Sequence, residues 1–133
     1  MKKIFLSLLV SCSLILNTFS QKVEFKEGIV LVDKVEVLSY ELKNIKSDIS
    51  IYKLRTEDEI IFIKWFESST FSSKPYLRIM FLKEDLELKV TTFGSYKSTI
   101  KWFIDEHVFD KDYNINLEKL ELFIKKYDEK IIE

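Results

Sequence analysis

Carboxylates are the only chemistry-bearing groups this chain holds in number: 22 Asp and Glu against one histidine and one cysteine in 133 residues. That inventory narrows the reactions open to it. A zinc site takes three or four ligands, and a nucleophilic triad needs a histidine held by a second group. His107 has no such set around it in sequence, and it reads as an edge residue on the apolar face of a helix. Paired carboxylates can cleave glycosidic bonds when held about 5–10 Å apart across a sugar. The acid runs Glu57-Asp58-Glu59 and Glu84-Asp85-Glu87 fall at expected turns, where such groups are solvated. Gly28 and Gly94 are too far apart to build a phosphate-cradling loop. The expectation is therefore a protein that is not an enzyme, with no catalytic residues, no cofactor and no metal ligands.

One acidic stretch has sharper spacing. Asp110, Asp112 and Asn114 put oxygens at the first, third and fifth positions of a twelve-residue window, Leu117 is at the eighth and Glu121 closes it. This spacing resembles the EF-hand calcium loop, and the resemblance implies calcium held between two helices. Position six of that loop is glycine because the backbone turns there with positive φ; here it is Ile115, a β-branched residue that resists that conformation. No second loop is present to pair with it. The competing reading is a helix–helix connection in which Asn116 caps the second helix and the acids favour its start.

The N-terminus carries the clearest function. Lys2 and Lys3 precede an apolar run from Ile4 to Leu16, and small Thr18 and Ser20 stand three and one residues before Gln21. That is the layout of a secretory signal peptide, so residues 1–20 are expected to be cleaved, leaving a single domain over 21–133 in the periplasm or outside the cell. A retained anchor is the first alternative, but Ile4–Phe19 falls short of the roughly 20 residues a spanning helix needs. The second is lipidation, because Leu9-Val10-Ser11-Cys12 resembles a bacterial lipobox. Cys12 is the only cysteine, so residues 21–133 cohere without disulfides. The absence of alanine and the excess of lysine over arginine suggest an AT-rich bacterial genome.

Residues 21–133 carry a net charge of about −3 with both signs interleaved. No basic stripe suggests nucleic acid, no polybasic run suggests an anionic membrane, and no stable membrane insertion is expected after cleavage.

Between Val23 and Phe93 apolar residues alternate in short runs, which predicts six or seven strands over about 22–93. Asp33-Lys34 reads as a two-residue hairpin turn. Val35 and Val37 share one parity while Leu38, Tyr40 and Leu42 share the other, which predicts a β-bulge near Val37-Leu38. Strands 59–66 and 76–82 are apolar on both faces and should be central. Connections of two to nine residues favour an antiparallel meander. After Gly94 the period becomes helical, predicting helices at about 96–109 and 117–131, capped by Ser95 and Asn116. The second helix carries Leu117, Leu120, Ile124, Tyr127 and Ile131 as its stripe. Strands first and helices last make an α+β fold.

Of the aromatic pairs, at most one of Trp65 and Phe66 can face the core, and Trp102 falls off the Ile100–Phe103–Ile104 face. Packing is the simpler reading of both tryptophans, a partner surface the other. The function expected is an exported, non-catalytic interaction module for an envelope or extracellular protein, working through the sheet's wet face or the Ser68–Ser73 loop. The alternative is a carrier of a small apolar ligand inside a partly closed sheet, which demands a lined void where a module demands a filled core.

Overall fold

A computed structural model describes residues 21–67, 74–91 and 94–132. The expected leader 1–20, with its candidate lipobox and cleavage site, and the loop expected at Ser68–Ser73 lie outside the described residues. Seven strands, β1 (Val23–Lys26), β2 (Ile29–Val32), β3 (Val35–Lys43), β4 (Asp48–Lys53), β5 (Glu59–Phe66), β6 (Tyr76–Phe81) and β7 (Leu86–Val90), pair in chain order in one antiparallel sheet. Two helices follow, α1 (Tyr96–Asp105) and α2 (Leu117–Tyr127). The α+β meander-then-helices architecture is as the periodicity predicts.

Turn chemistry explains the hairpins. Asp33 and Lys34 both adopt positive φ, 51° and 67°, as the two-residue turn requires. The bulge is at Val37: Val30 pairs with Leu38 while Leu31 pairs with Glu36, so one extra residue re-phases β3. A second bulge sits at Ile60, between the pairs Ile51–Ile61 and Tyr52–Glu59. It explains why Ile60 and Ile61, adjacent in sequence, are both buried.

One face of the sheet forms the core. The cross-strand row Ile49–Ile63–Ile79–Leu88 and the row Ile51–Ile61–Phe81 are fully enclosed. α1 packs toward β1 and α2 toward β7, so the helices span the distance between the two edges of the sheet. Phe103 of α1 sits at the centre, edge-on to Phe81 at 5.4 Å, Phe123 at 5.5 Å and Phe109 at 6.3 Å. Aromatic side chains thus fill the interior where a carrier would hold its ligand.

Both helices stop short of their predicted ends. α1 ends in a Schellman motif: the Val108 N–H donates to Phe103 O, and the His107 N–H donates to Ile104 O. His107, at φ 61°, therefore lies beyond the helix and exposed to solvent, not on its apolar face as the spacing suggested. Left-handed backbone costs a side-chain-bearing residue about 1–2 kcal/mol. His107→Gly is expected to raise stability by about 0.5–1 kcal/mol, after allowing for the freer unfolded chain, measured by urea denaturation. α2 turns extended at Asp128, which carries Ile131 off the helix, and its buried residues are Leu120 and Phe123. Phe123, absent from the predicted stripe, is the centre of that face.

Neither helix among the described residues lies over the other face of the sheet. Ser50 lies on it, fully buried between its register neighbours Glu41 and Phe62, and its Oγ has no hydrogen-bond partner among the described residues. A buried hydroxyl left unpaired costs about 1–3 kcal/mol. Ser50→Ala is expected to stabilise the fold by about 1 kcal/mol, seen as a higher denaturation midpoint with unchanged slope.

Candidate functional site

The Asp110–Glu121 window forms a connection whose first carboxylate is already engaged. Asp110 Oδ1 accepts the N–H groups of Asp112 at 2.8 Å and Asn114 at 3.0 Å, closing an Asx-type turn. The positive φ falls on Tyr113, not Ile115, and Phe109 bridges Ile115 as in a small hairpin. Asn116 Oδ1 accepts from the Lys119 N–H, capping α2, and Glu121 projects to solvent one turn on. Among the described residues no three His, Cys, Asp or Glu side chains gather as a metal site. The acid runs Glu57–Glu59 and Glu84–Glu87 sit in and beside the turns between β4 and β5 and between β6 and β7. Asp58 there accepts from Lys83 Nζ at 2.6 Å, and Glu87 accepts from Arg78 Nε at 2.6 Å.

Each tryptophan borders a hollow. Trp102 stacks edge-on against Phe123 at 4.5 Å and Tyr127 at 4.8 Å, joining the helices as the packing reading expected. It lines an open hollow of about 610 Å³ with Val90, Thr99 and Tyr127. Trp65 shares the core-side row with Leu77 and borders a second hollow of about 420 Å³ with Tyr96. Gly94 belongs to both, so the two flank the entry to α1.

Three phenols are held in the neutral form. The hydrogen bond from Tyr127 to Glu106, with burial added, raises the Tyr127 pKa; burial, then Asp48, raises that of Tyr96; burial, then Asp33, raises that of Tyr113. The unfolded chain releases these protons first as the pH climbs. Stability is therefore full below the ordinary tyrosine pKa of about 10 and falls as pH rises through the higher folded values. Alkaline unfolding should coincide with the rise in tyrosinate absorbance, and Tyr127→Phe should shift the unfolding midpoint to higher pH.

The uncovered face of the sheet carries the most unusual surface. Outward residues of β5 and β6 pair as Phe62–Met80, Lys64–Arg78 and Phe66–Tyr76. The Phe66 and Tyr76 rings stack at 5.0 Å with an 11° tilt, and Lys64 Nζ sits 5.2 Å from the Phe66 centroid. All six are half-buried. Sequence reasoning placed β5 and β6 centrally because both faces are apolar; they stand fifth and sixth, and the helices cover only one of those faces.

No protein-family model matches the chain, and neither does any curated protein or solved structure.

Proposed function

We propose that this is an exported, non-catalytic interaction module that binds an envelope or extracellular protein through the uncovered face of its sheet. The block of Phe62, Met80, Phe66, Tyr76, Lys64 and Arg78 carries the reading. Phe, Tyr, Met and Arg are the residues enriched at protein interfaces, and an antiparallel strand with one solvated face ordinarily turns polar side chains outward. Glu41 and Glu87 end the row that holds Phe62 and Met80, supplying a charged rim.

A photo-crosslinking residue at position 62, introduced in the native host, should capture one protein species. The same group at Glu121, on the exposed side of α2, should not. Met80→Lys should abolish the capture without lowering the melting temperature by more than a few degrees. Equal labelling from positions 62 and 121 would reject this surface.

The carrier reading keeps one observation in its favour. The hollows beside Trp65 and Trp102 have volumes in the range of about 300–1,000 Å³ that suits small ligands. They lie at the rim of the sheet, outside the aromatic interior. Titration with an aliphatic carboxylic acid would change the tryptophan emission if either hollow bound it; unchanged emission removes the carrier.

A further inference from the structure

The meander sorts charge by pole. Segments 33–36, 53–59, 82–85 and 105–112, gathered at one end of the strands, hold eleven acidic and five basic residues. At the other end, segments 26–29, 43–48, 64–67, 74–76, 94–97 and 128–130 hold seven lysines and five acids, of which Asp128 and Glu129 are engaged by the Lys89 and Thr91 backbone. One of those acids, Asp48, is buried; it accepts from Asn44 Nδ2 and Ser47 Oγ. Lys43, Lys46, Lys64, Lys74 and Lys97 make no ion pair among the described residues. At the acidic end, by contrast, Arg55 is tied to Glu36 and Lys83 to Asp58.

An apolar tip stands at the lysine-rich pole. Asn44, Ile45 and Lys46 all have positive φ, 50°, 56° and 68°, and Ile45 at the apex of the β3–β4 turn is wholly exposed. Isoleucine is among the residues least suited to this backbone, where asparagine or glycine would sit with little strain. The turn is braced from beneath: the Tyr96 hydroxyl donates to Lys46 O and the Trp65 N–H donates to Ser47 O, each at 3.1 Å. A strained, braced turn that holds out a β-branched apolar side chain marks a position kept for contact and not for folding.

We propose that this pole docks on the anionic surface of a lipid bilayer, Ile45 entering the headgroup region while lysines of the same pole meet lipid phosphates. The lysines come from separate segments of the chain, which suits a broad, diffuse negative surface better than a discrete site. An apolar point at a lysine-rich pole is the combination that interfacial binding rewards. No helix among the described residues is long and apolar enough to cross a membrane, and the contact proposed is peripheral.

The test uses the chain from Gln21, which holds every described element, with sedimented vesicles of phosphatidylcholine alone or with about a third phosphatidylglycerol. Binding is expected only to the anionic vesicles, and loss of it at about 0.5 M salt, where screening is nearly complete. Lys46→Asn, Lys74→Ser and Lys97→Ser together should weaken binding roughly a hundredfold, at about fivefold per lysine. Ile45→Asn should weaken it about tenfold while raising the melting temperature, which separates lost contact from lost fold. Phe62→Ser should leave it unchanged, because Lys64 is the only lysine of this pole that the block proposed for a protein partner shares. Equal binding to neutral vesicles, indifference to the Ile45 and lysine variants, or a protein cross-linked at position 45 in place of lipid would each overturn the proposal.

Discussion

Phe103→Ala is expected to cost about 4 kcal/mol, most of the stability that a domain of this size possesses. The ring is wholly inaccessible and touches aromatic neighbours from three different parts of the chain: Phe81 of β6, Phe109 after α1 and Phe123 of α2. Removing it takes away the transfer energy of a buried aromatic and the edge-to-face contacts at once. It also leaves a void that the isoleucine rows of β4, β5 and β6 cannot fill, because their backbone is fixed by the sheet. Urea denaturation should show a midpoint lowered by half or more. Phe103→Leu keeps most of the volume and should lose less than half as much. A loss under about 1 kcal/mol for the alanine variant would mean the helices are not docked as described.

The variant bears on function because of what fills the interior. A carrier with its ligand inside the sheet needs emptiness where Phe81, Phe103, Phe109 and Phe123 meet. Filling moves any binding to the exterior, to the rim hollows, the uncovered face or the Ile45 tip. The variant could itself create the missing void and take up a small apolar molecule, as engineered apolar cavities do.

Much of the fold was legible in residue order because its signals are local. The phase slip between Val37 and Leu38, the Asp33-Lys34 turn and the Ser95 and Asn116 caps each depend on a few neighbouring residues, and each is found in place. The slip at Ile60-Ile61 has the same signature but hides in an unbroken apolar run. Helix ends were misplaced where a residue without the usual signal took the special conformation: His107 stands where glycine would announce a stop. The surfaces were illegible for a different reason. Lys43, Lys46, Lys64, Lys74 and Lys97 are scattered over 55 residues among acids, and only the back-and-forth of the meander gathers them at one pole. Likewise, the apolar outward residues of β5 and β6 read as evidence of double burial. Nothing in the periodicity could say that both helices would settle on the same face.

Replacing both Asp128 and Glu129 by alanine is expected to cost about 3 kcal/mol and to make the protein self-associate. β7 is an edge strand, and its outward backbone at Lys89 is paired by the segment after α2: the Lys89 N–H donates to Asp128 Oδ1 at 3.0 Å, and Lys89 O accepts from the Glu129 N–H at 3.0 Å. Glu129 then takes the Thr91 N–H at 2.6 Å and the Thr91 hydroxyl at 2.7 Å. Two carboxylates thus stand in for the carbonyls of a missing eighth strand. Hydrogen bonds to charged acceptors contribute about 1.5–3 kcal/mol each when sheltered and less where solvent reaches them, as it does around Glu129. Without them the segment should lift, baring the Lys89 and Thr91 backbone and opening the hollow beside Trp102, whose wall includes Glu129. Sedimentation velocity over a concentration series should show the parent chain unchanged and the double variant growing heavier as concentration rises. Glu129→Gln, which keeps an acceptor without the charge, should fall between the two. A double variant that stayed monomeric and as stable as its parent would mean that the edge is guarded by something other than these two acids.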